Sequence, residues 1–257
     1  MKIDWSPLKA ELSLWRRAGL ALPLWWRDDD AVANTPALTR LAALSSEMAL
    51  PVYVAVIPDL IEPTLAPAIA QAPNQFPVIH GWRHIRHAPE GAKNAEFGHD
   101  RDGAENELTQ AYQRMEKEFG QALVPLFVPP WNRLAAQFLP ALTAAGYRGF
   151  STFGPRKTAQ EEGGILQINT HIDPIYWRED RGLVAPAMLI AKLVQTLQER
   201  RGGLTDAGEP LGLLTHHLVH TEDVWAFSGE VLRVLLDGGA VPADIGALLQ
   251  SGRSPSI

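Results

Sequence analysis

Three histidines, His80, His84 and His87, fall within eight residues of the stretch VIHGWRHIRHAPEG, in a chain that has eight histidines in all. His80 and His84 are four apart, a spacing that sets two imidazoles on one face of a helical turn, as in zinc sites of the HExxH type. No glutamate follows the first histidine here, so that motif itself is absent. The competing reading is a solvated pair on a loop. His87, beside Arg86 and close to Pro89, is expected to be peripheral. A second cluster, Arg27-Asp28-Asp29-Asp30, sets three acids side by side, an arrangement that is costly unless a cation or solvent offsets it. Such acids also suit a solvated turn or a helix N-terminus. A third cluster, His216 and His217, closes the apolar run LGLLTHH. A histidine delivered there is a candidate general acid, since its ordinary pKa lies near neutrality. A structural histidine fits the same position. Neighbours on a strand point to opposite faces, so only one of the two is expected to reach a site. The chain has no cysteine, so any metal must be held by His, Asp or Glu. One aspartate with two histidines suits Zn²⁺ and leaves positions open for water and substrate. Trp26, Trp82, Trp131, Trp177 and Trp225 lie in or beside polar clusters. Their rings could stack on a sugar, or simply pack.

These residues must be held by a scaffold. Short apolar runs alternate with helical patterns along the chain. Strands are expected at 22–27 (LPLWWR), 52–57 (VYVAVI), 77–80, 124–128 (VPLFV), 148–152, 165–169 and 211–216 (LGLLTH). Thr35 with Pro36 reads as an N-cap and first-turn proline for a helix beginning ALTRL. Further helices are expected at 104–119, 134–145, 187–200 and 222–236, the first three running out at Gly120, Gly146 and Gly202 and the last at the sequence DGG. Seven strands alternating with helices predict a parallel sheet covered by helices. RDDD, HGWRH, PPWNR and THH then fall after strands one, three, four and seven. In barrels of βα units the loops after strand C-termini form the active face, so the four clusters can converge at one mouth.

The 257 residues carry a formal charge of −6, with 46% apolar and 20% charged residues. This is the profile of a soluble globular chain, one domain over residues 1–257, and it argues against a nucleic-acid partner. Asp4, Lys9, Glu11, Arg16 and Arg17 interrupt the N-terminal apolar runs, so no signal peptide is expected there. AGLALPLWW is too short to span a bilayer, and a cytoplasmic location is expected, with no membrane partner.

Taken together and in order, the clusters resemble the polysaccharide deacetylase family, the NodB-homology or carbohydrate esterase 4 group, in a divergent bacterial form. RDDDA resembles the first family motif, T-x-D-D-G, and HGWRH resembles H-[ST]-x-x-H. VPPW is half of R-x-P-[WY], with Pro130 and Trp131 matched and Val128 where the family has arginine. HIDPIYW, with Asp173 and Trp177, resembles the fourth motif, and LLTH the last. The resemblance implies a distorted (β/α) barrel, seven-stranded, with its active site at the strand C-termini. It implies a divalent metal ion, most readily Zn²⁺, held by Asp30, His80 and His84. Asp29 would be the catalytic base and His216 the acid, with Trp82, Pro130, Trp131, Arg133 and Trp177 on the substrate. The implied reaction is removal of an acetyl group, chiefly N-acetyl, from a carbohydrate. Another small C–N amide is the alternative substrate. A catalytically silent sugar-binding protein is the alternative without chemistry, motivated by the absent arginine, which Arg27 or Arg133 would have to replace.

Overall fold

A computed structural model describes residues 3–178 and 180–252. Eight parallel strands form one sheet: β1 (Leu22–Ala31), β2 (Val52–Val56), β3 (Gln75–His80), β4 (Leu126–Val128), β5 (Gly149–Phe150), β6 (Leu166–Gln167), β7 (Leu211–Thr215) and β8 (Ala240–Pro242). Their order is β6-β5-β4-β3-β2-β1-β7, with β8 added beside the start of β1. The sheet curls until the segment after β6 meets β7. His171 N donates to Gly212 O at 2.7 Å, and Leu214 N to Ile172 O at 2.8 Å. Gly212 permits this approach, because a Cβ there would run into Trp25, Asn169 and Thr170. The result is the distorted (β/α) barrel.

The helices are α1 (Ser6–Arg17), α2 (Pro36–Glu47), α3 (Leu65–Ala70), α4 (Ala104–Phe119), α5 (Leu139–Ala145), α6 (Pro186–Arg201), α7 (Glu222–Asp237) and α8 (Ile245–Ser251). Thr35 caps α2 by accepting from Leu38 N, and Thr221 caps α7 from Val224 N with two acids in the first turn. Alternation along the strands sorts the core. Leu24, Trp26, Val52, Val54, Ile79 and Leu213 join a large cluster with the outer helices. Trp25, Tyr53, Ala55, Val78, Leu126 and Val128 form a second cluster inside the barrel, closed from below by Ile245 and Leu249 of α8. Both faces are buried, which is why the strands read as continuous apolar runs.

All seven expected strands are present. The eighth, three residues long, and helices α1, α3 and α8 were outside the expectation. The helix expected over 134–145 begins only at Leu139. Pro140 stands in its first turn, and Leu134 instead bridges Phe97. β1 runs four residues beyond its expected end, through the acid cluster itself. Among the described residues no helix is long and apolar enough to cross a membrane.

Candidate active site

The end of β1 carries the decisive local feature. Asp28 is opposite Val54 of β2, and Ala31 is opposite Val56, so three steps on β1 match two on β2. This is a β-bulge, and Asp30 within it has φ 76°. Aspartate tolerates the left-handed region better than most residues. Simple alternation would send Asp29 and Asp30 to opposite faces. The extra residue lets both line one cleft, together with His80, His84, Trp131, Asn132, Arg133, Phe153, Asp173, Ile175, Trp177 and His216. The cleft volume is about 610 Å³.

His80, the last residue of β3, points to the barrel interior like Val78 two residues earlier. Its Nδ1 lies 3.0 Å from Val128 O, and its Nε2 lies 3.1 Å from Asp30 Oδ1. A carbonyl accepts only, so Nδ1 carries a proton; Nε2 faces the Asp30 carboxylate, donating to it when the ring is protonated and offering a lone pair to the cleft when the ring is neutral. His84 Nε2 lies 3.5 Å from the same carboxylate oxygen. One donor atom from each of Asp30, His80 and His84 falls within 4.8 Å of the others. An aspartate and two imidazoles, one of them oriented by a backbone carbonyl, open to a cleft and fit a divalent metal ion. The histidines do not share a helical turn. Gly81 and His84 are both left-handed, at φ 59° and 58°, and the segment is an irregular loop. A Cβ at position 81 would collide with Glu96 and Pro130. The buried Glu96 carboxylate accepts from Trp82 N at 3.1 Å and Arg83 N at 2.8 Å, and so holds this loop.

Asp29 is clamped by Arg27 from the same strand, with Nε–Oδ1 2.9 Å and Nη2–Oδ2 3.0 Å. Arg27 is fully buried. It also reaches Ser151 Oγ at 2.7 Å and Asn132 Oδ1 at 2.6 Å. The fork that pairs with the carboxylate thus comes from β1, two residues before its partner, and not from the end of β4. Arg133 donates to Asn94 O at 2.6 Å instead.

His216 and His217 part just beyond β7, which ends at Thr215, where His217 opens a 3-10 turn. His216 lines the cleft, edge-on to Trp177 with ring centroids 4.6 Å apart. His217 turns to the helix side and bonds Asp28 through Nδ1. The Asp28 carboxylate also accepts from Thr215 Oγ1 at 2.6 Å and His217 N at 3.1 Å. Asp173 accepts from Trp177 Nε1 at 2.7 Å and Ile175 N at 2.9 Å.

Charges follow from this packing. Burial opposes ionisation of Asp30. The His80 hydrogen bond and the imidazoles of His80, His216 and His84 outweigh it and hold its carboxyl below the usual range. Burial also opposes protonation of His80, but Asp29 and Asp30 push its pKa up. His84 is lowered by burial and by His80. Asp173 is raised by burial. His217 is raised against burial by Asp28. His220 falls to about 4, chiefly through burial.

Of the residues expected from sequence, Asp29, Asp30, His80, His84, Trp131, Arg133, Trp177 and His216 line the cleft. Trp82 and Pro130 do not. Trp82 is buried in the main core cluster, and Pro130 packs under Gly81, because the loop between the histidines folds inward there. His87 groups with Glu96 and Glu107, apart from the cleft; Glu107 pairs with Arg101. Asn132, Phe153 and Ile175 were not foreseen. Asn132 stood within PPWNR and Ile175 within HIDPIYW, whereas Phe153 carried no signal in type or spacing.

The same fold occurs in carbohydrate esterase family 4 proteins. The chain is similar to a CE4 esterase from Streptococcus mutans at TM-score 0.58 and 10% identity, covering 86% of this chain and 85% of that one. It is similar to a family 4 carbohydrate esterase from Streptomyces lividans, solved in complex with acetate, at TM-score 0.55 and 13% identity, over 91% and 97% of the two chains. A CE4 family pseudoenzyme from Bacillus anthracis aligns at TM-score 0.57 and 14% identity, over 89% and 66%. No family model and no curated protein matches the sequence. The chain therefore has the CE4, or NodB-homology, fold.

Proposed function

We propose that this protein is a metal-dependent hydrolase that removes acetyl groups, chiefly N-acetyl, from a carbohydrate. The observation that carries the reading is the convergence of Asp30, His80 and His84 beside Asp29 and His216 in one cleft. The three donors would hold the ion, Zn²⁺ by their chemistry. Such an ion supplies Lewis acidity toward the acetyl carbonyl and the attacking water. Asp29 accepts the proton of the water, its carboxylate aimed by Arg27. His216, braced by Trp177, delivers a proton to the leaving amine. A backbone N–H near Trp131, a residue that lines the cleft, would stabilise the developing oxyanion. Trp131, Phe153 and Trp177 offer flat or apolar walls to a sugar ring. The clamp on Asp29 speaks against the silent sugar-binding alternative, since a base held in this way needs no arginine from β4. A smaller C–N amide would meet the same groups, and the aromatic walls favour the carbohydrate.

The test pairs metal analysis with acetate release from N-acetylated sugar oligomers. The wild type should hold one divalent ion and release acetate. Asp29→Asn should keep the ion and lose on the order of 10²-fold or more in turnover. His84→Ala should lose the ion, while His87→Ala keeps it. Full turnover by Asp29→Asn, or equal metal loss in the two histidine variants, would refute the assignment.

A further inference from the structure

We infer that the cleft continues into a lateral cavity that binds an anionic group, a carboxylate or phosphate, carried by the substrate next to the acetylated unit. This deepens the deacetylase reading and rests on it. The cavity, of about 570 Å³, shares Asn132 and Arg133 with the catalytic cleft. The two volumes each fall in the range of small-molecule sites, roughly 300–1,000 Å³. A ligand longer than one unit can therefore occupy both.

The cavity wall is unusual in its charge. Lys93 and Arg133 line it, with the His99 ring beside them. The chain as a whole carries a formal charge of −6, so cations are the minority species. Most arginines here meet an acid or a buried polar partner, as Arg27, Arg40, Arg83, Arg101, Arg201 and Arg233 do. Arg133 does not. It gives one N–H to Asn94 O, and among the described residues its other donors meet no acceptor. Lys93 and His99 likewise have no side-chain partner among the described residues. The one acid in the wall whose side chain is described, Glu161, accepts from Thr158 Oγ1 at 2.8 Å and forms no ion pair with Lys93 or Arg133. Thr152 and Gln167 supply a polar floor.

Cations without an ion-pair partner in a concave wall focus a positive potential, which attracts anions. A guanidinium with free N–H groups suits the paired oxygens of a carboxylate or phosphate. Arg133 stands where the two cavities join. It thus places the anion on a unit next to the one that occupies the cleft. A neutral oligomer would leave these cations facing water and gain nothing from them.

The experiment uses matched N-acetylated disaccharides, one neutral, one with a uronic carboxylate and one with a phosphate on the neighbouring unit. At low salt, kcat/KM for an anionic member should exceed the neutral one by on the order of tenfold, and the advantage should shrink as ionic strength rises. Lys93→Glu should erase the advantage and leave the neutral rate unchanged. A preference for the uronate over the phosphate, or the reverse, identifies the anion. Equal kcat/KM across the set, or an advantage untouched by Lys93→Glu, overturns the inference. If no member releases acetate, the deacetylase reading fails by itself. Calorimetric titration with the same disaccharides then decides the cavity. Binding of an anionic member that Lys93→Glu abolishes upholds it, and absence of binding rejects it.

Discussion

Two Asp–His groupings stand back to back at the end of β1, and they have opposite fates. On the barrel side, Asp30 meets His80 and His84 at 3.1 and 3.5 Å, with its carboxylate partly exposed to the cleft. On the helix side, Asp28 meets His217, Thr215 Oγ1 and a backbone N–H, and both ionisable side chains are wholly buried. Both groupings pair an aspartate of β1 with histidine, and the two aspartates stand only two positions apart. The barrel-side group faces an open cleft, whereas on the helix side the one imidazole nitrogen without a partner, His217 Nε2, is buried. The helix-side carboxylate is saturated with donors and works as a structural pin between β1 and β7. Donor type makes a site possible, but unspent donor capacity facing an accessible volume makes it usable.

The sharpest way to break this comparison is to exchange the histidines' roles. His217→Ala should strand the buried Asp28 carboxylate and destabilise the fold by about 3–5 kcal/mol. Denaturant unfolding reads this directly. His216→Ala should unfold like the wild type, retain metal, and lose amide turnover more than turnover of activated esters, whose leaving groups need no proton. Were His217→Ala to unfold normally and lose turnover, the division between the two faces would be wrong.

A smaller effect sharpens the barrel side. Arg27→Lys retains the charge but not the two-pronged contact with Asp29 or the bonds to Ser151 and Asn132. The expected cost is about 1–3 kcal/mol in stability, with roughly tenfold slower acetate release and metal content unchanged. Wild-type kinetics in this variant would show that the clamp does not aim the base.

The smallest effect concerns His220, whose Nε2 accepts from His216 N at 3.1 Å. Its pKa is held down at about 4, against about 6.5 in an unfolded chain. The unfolded state therefore binds the extra proton between those values. The stability due to neutral His220 is complete above about pH 6.5 and is lost as pH falls toward about 4. From about pH 7 to about pH 5.5 the chain should lose about 1 kcal/mol that His220→Gln does not lose, since glutamine keeps an acceptor and cannot titrate. Parallel pH profiles in urea melts of the two proteins would remove His220 from the account.

The strands and the long helices were legible because their signals are local. VYVAV is apolar at every residue, Thr35-Pro36 is a helix start, and Gly146 ends α5 at φ 109°. The convergence of Asp30, His80 and His84 was legible from ordered motifs and not from spacing. The i, i+4 rule presumes a helical turn, whereas His80 and His84 are brought together by two left-handed residues and by Glu96, fourteen positions beyond Trp82. The sequence by itself determined which residue types reach the C-terminal end of the barrel, since strand periodicity and motif order depend only on neighbours in the chain. Tertiary structure alone decided which of them share the cleft. The bulge that turns Asp30 toward Asp29 exists only through the register of β1 against β2. The choice of Arg27 over Arg133 as partner of Asp29, and the choice of His216 over His217, depend on what stands across the sheet. Such pairings come from closure of the barrel, which joins residues more than a hundred positions apart, and no local pattern carries that information.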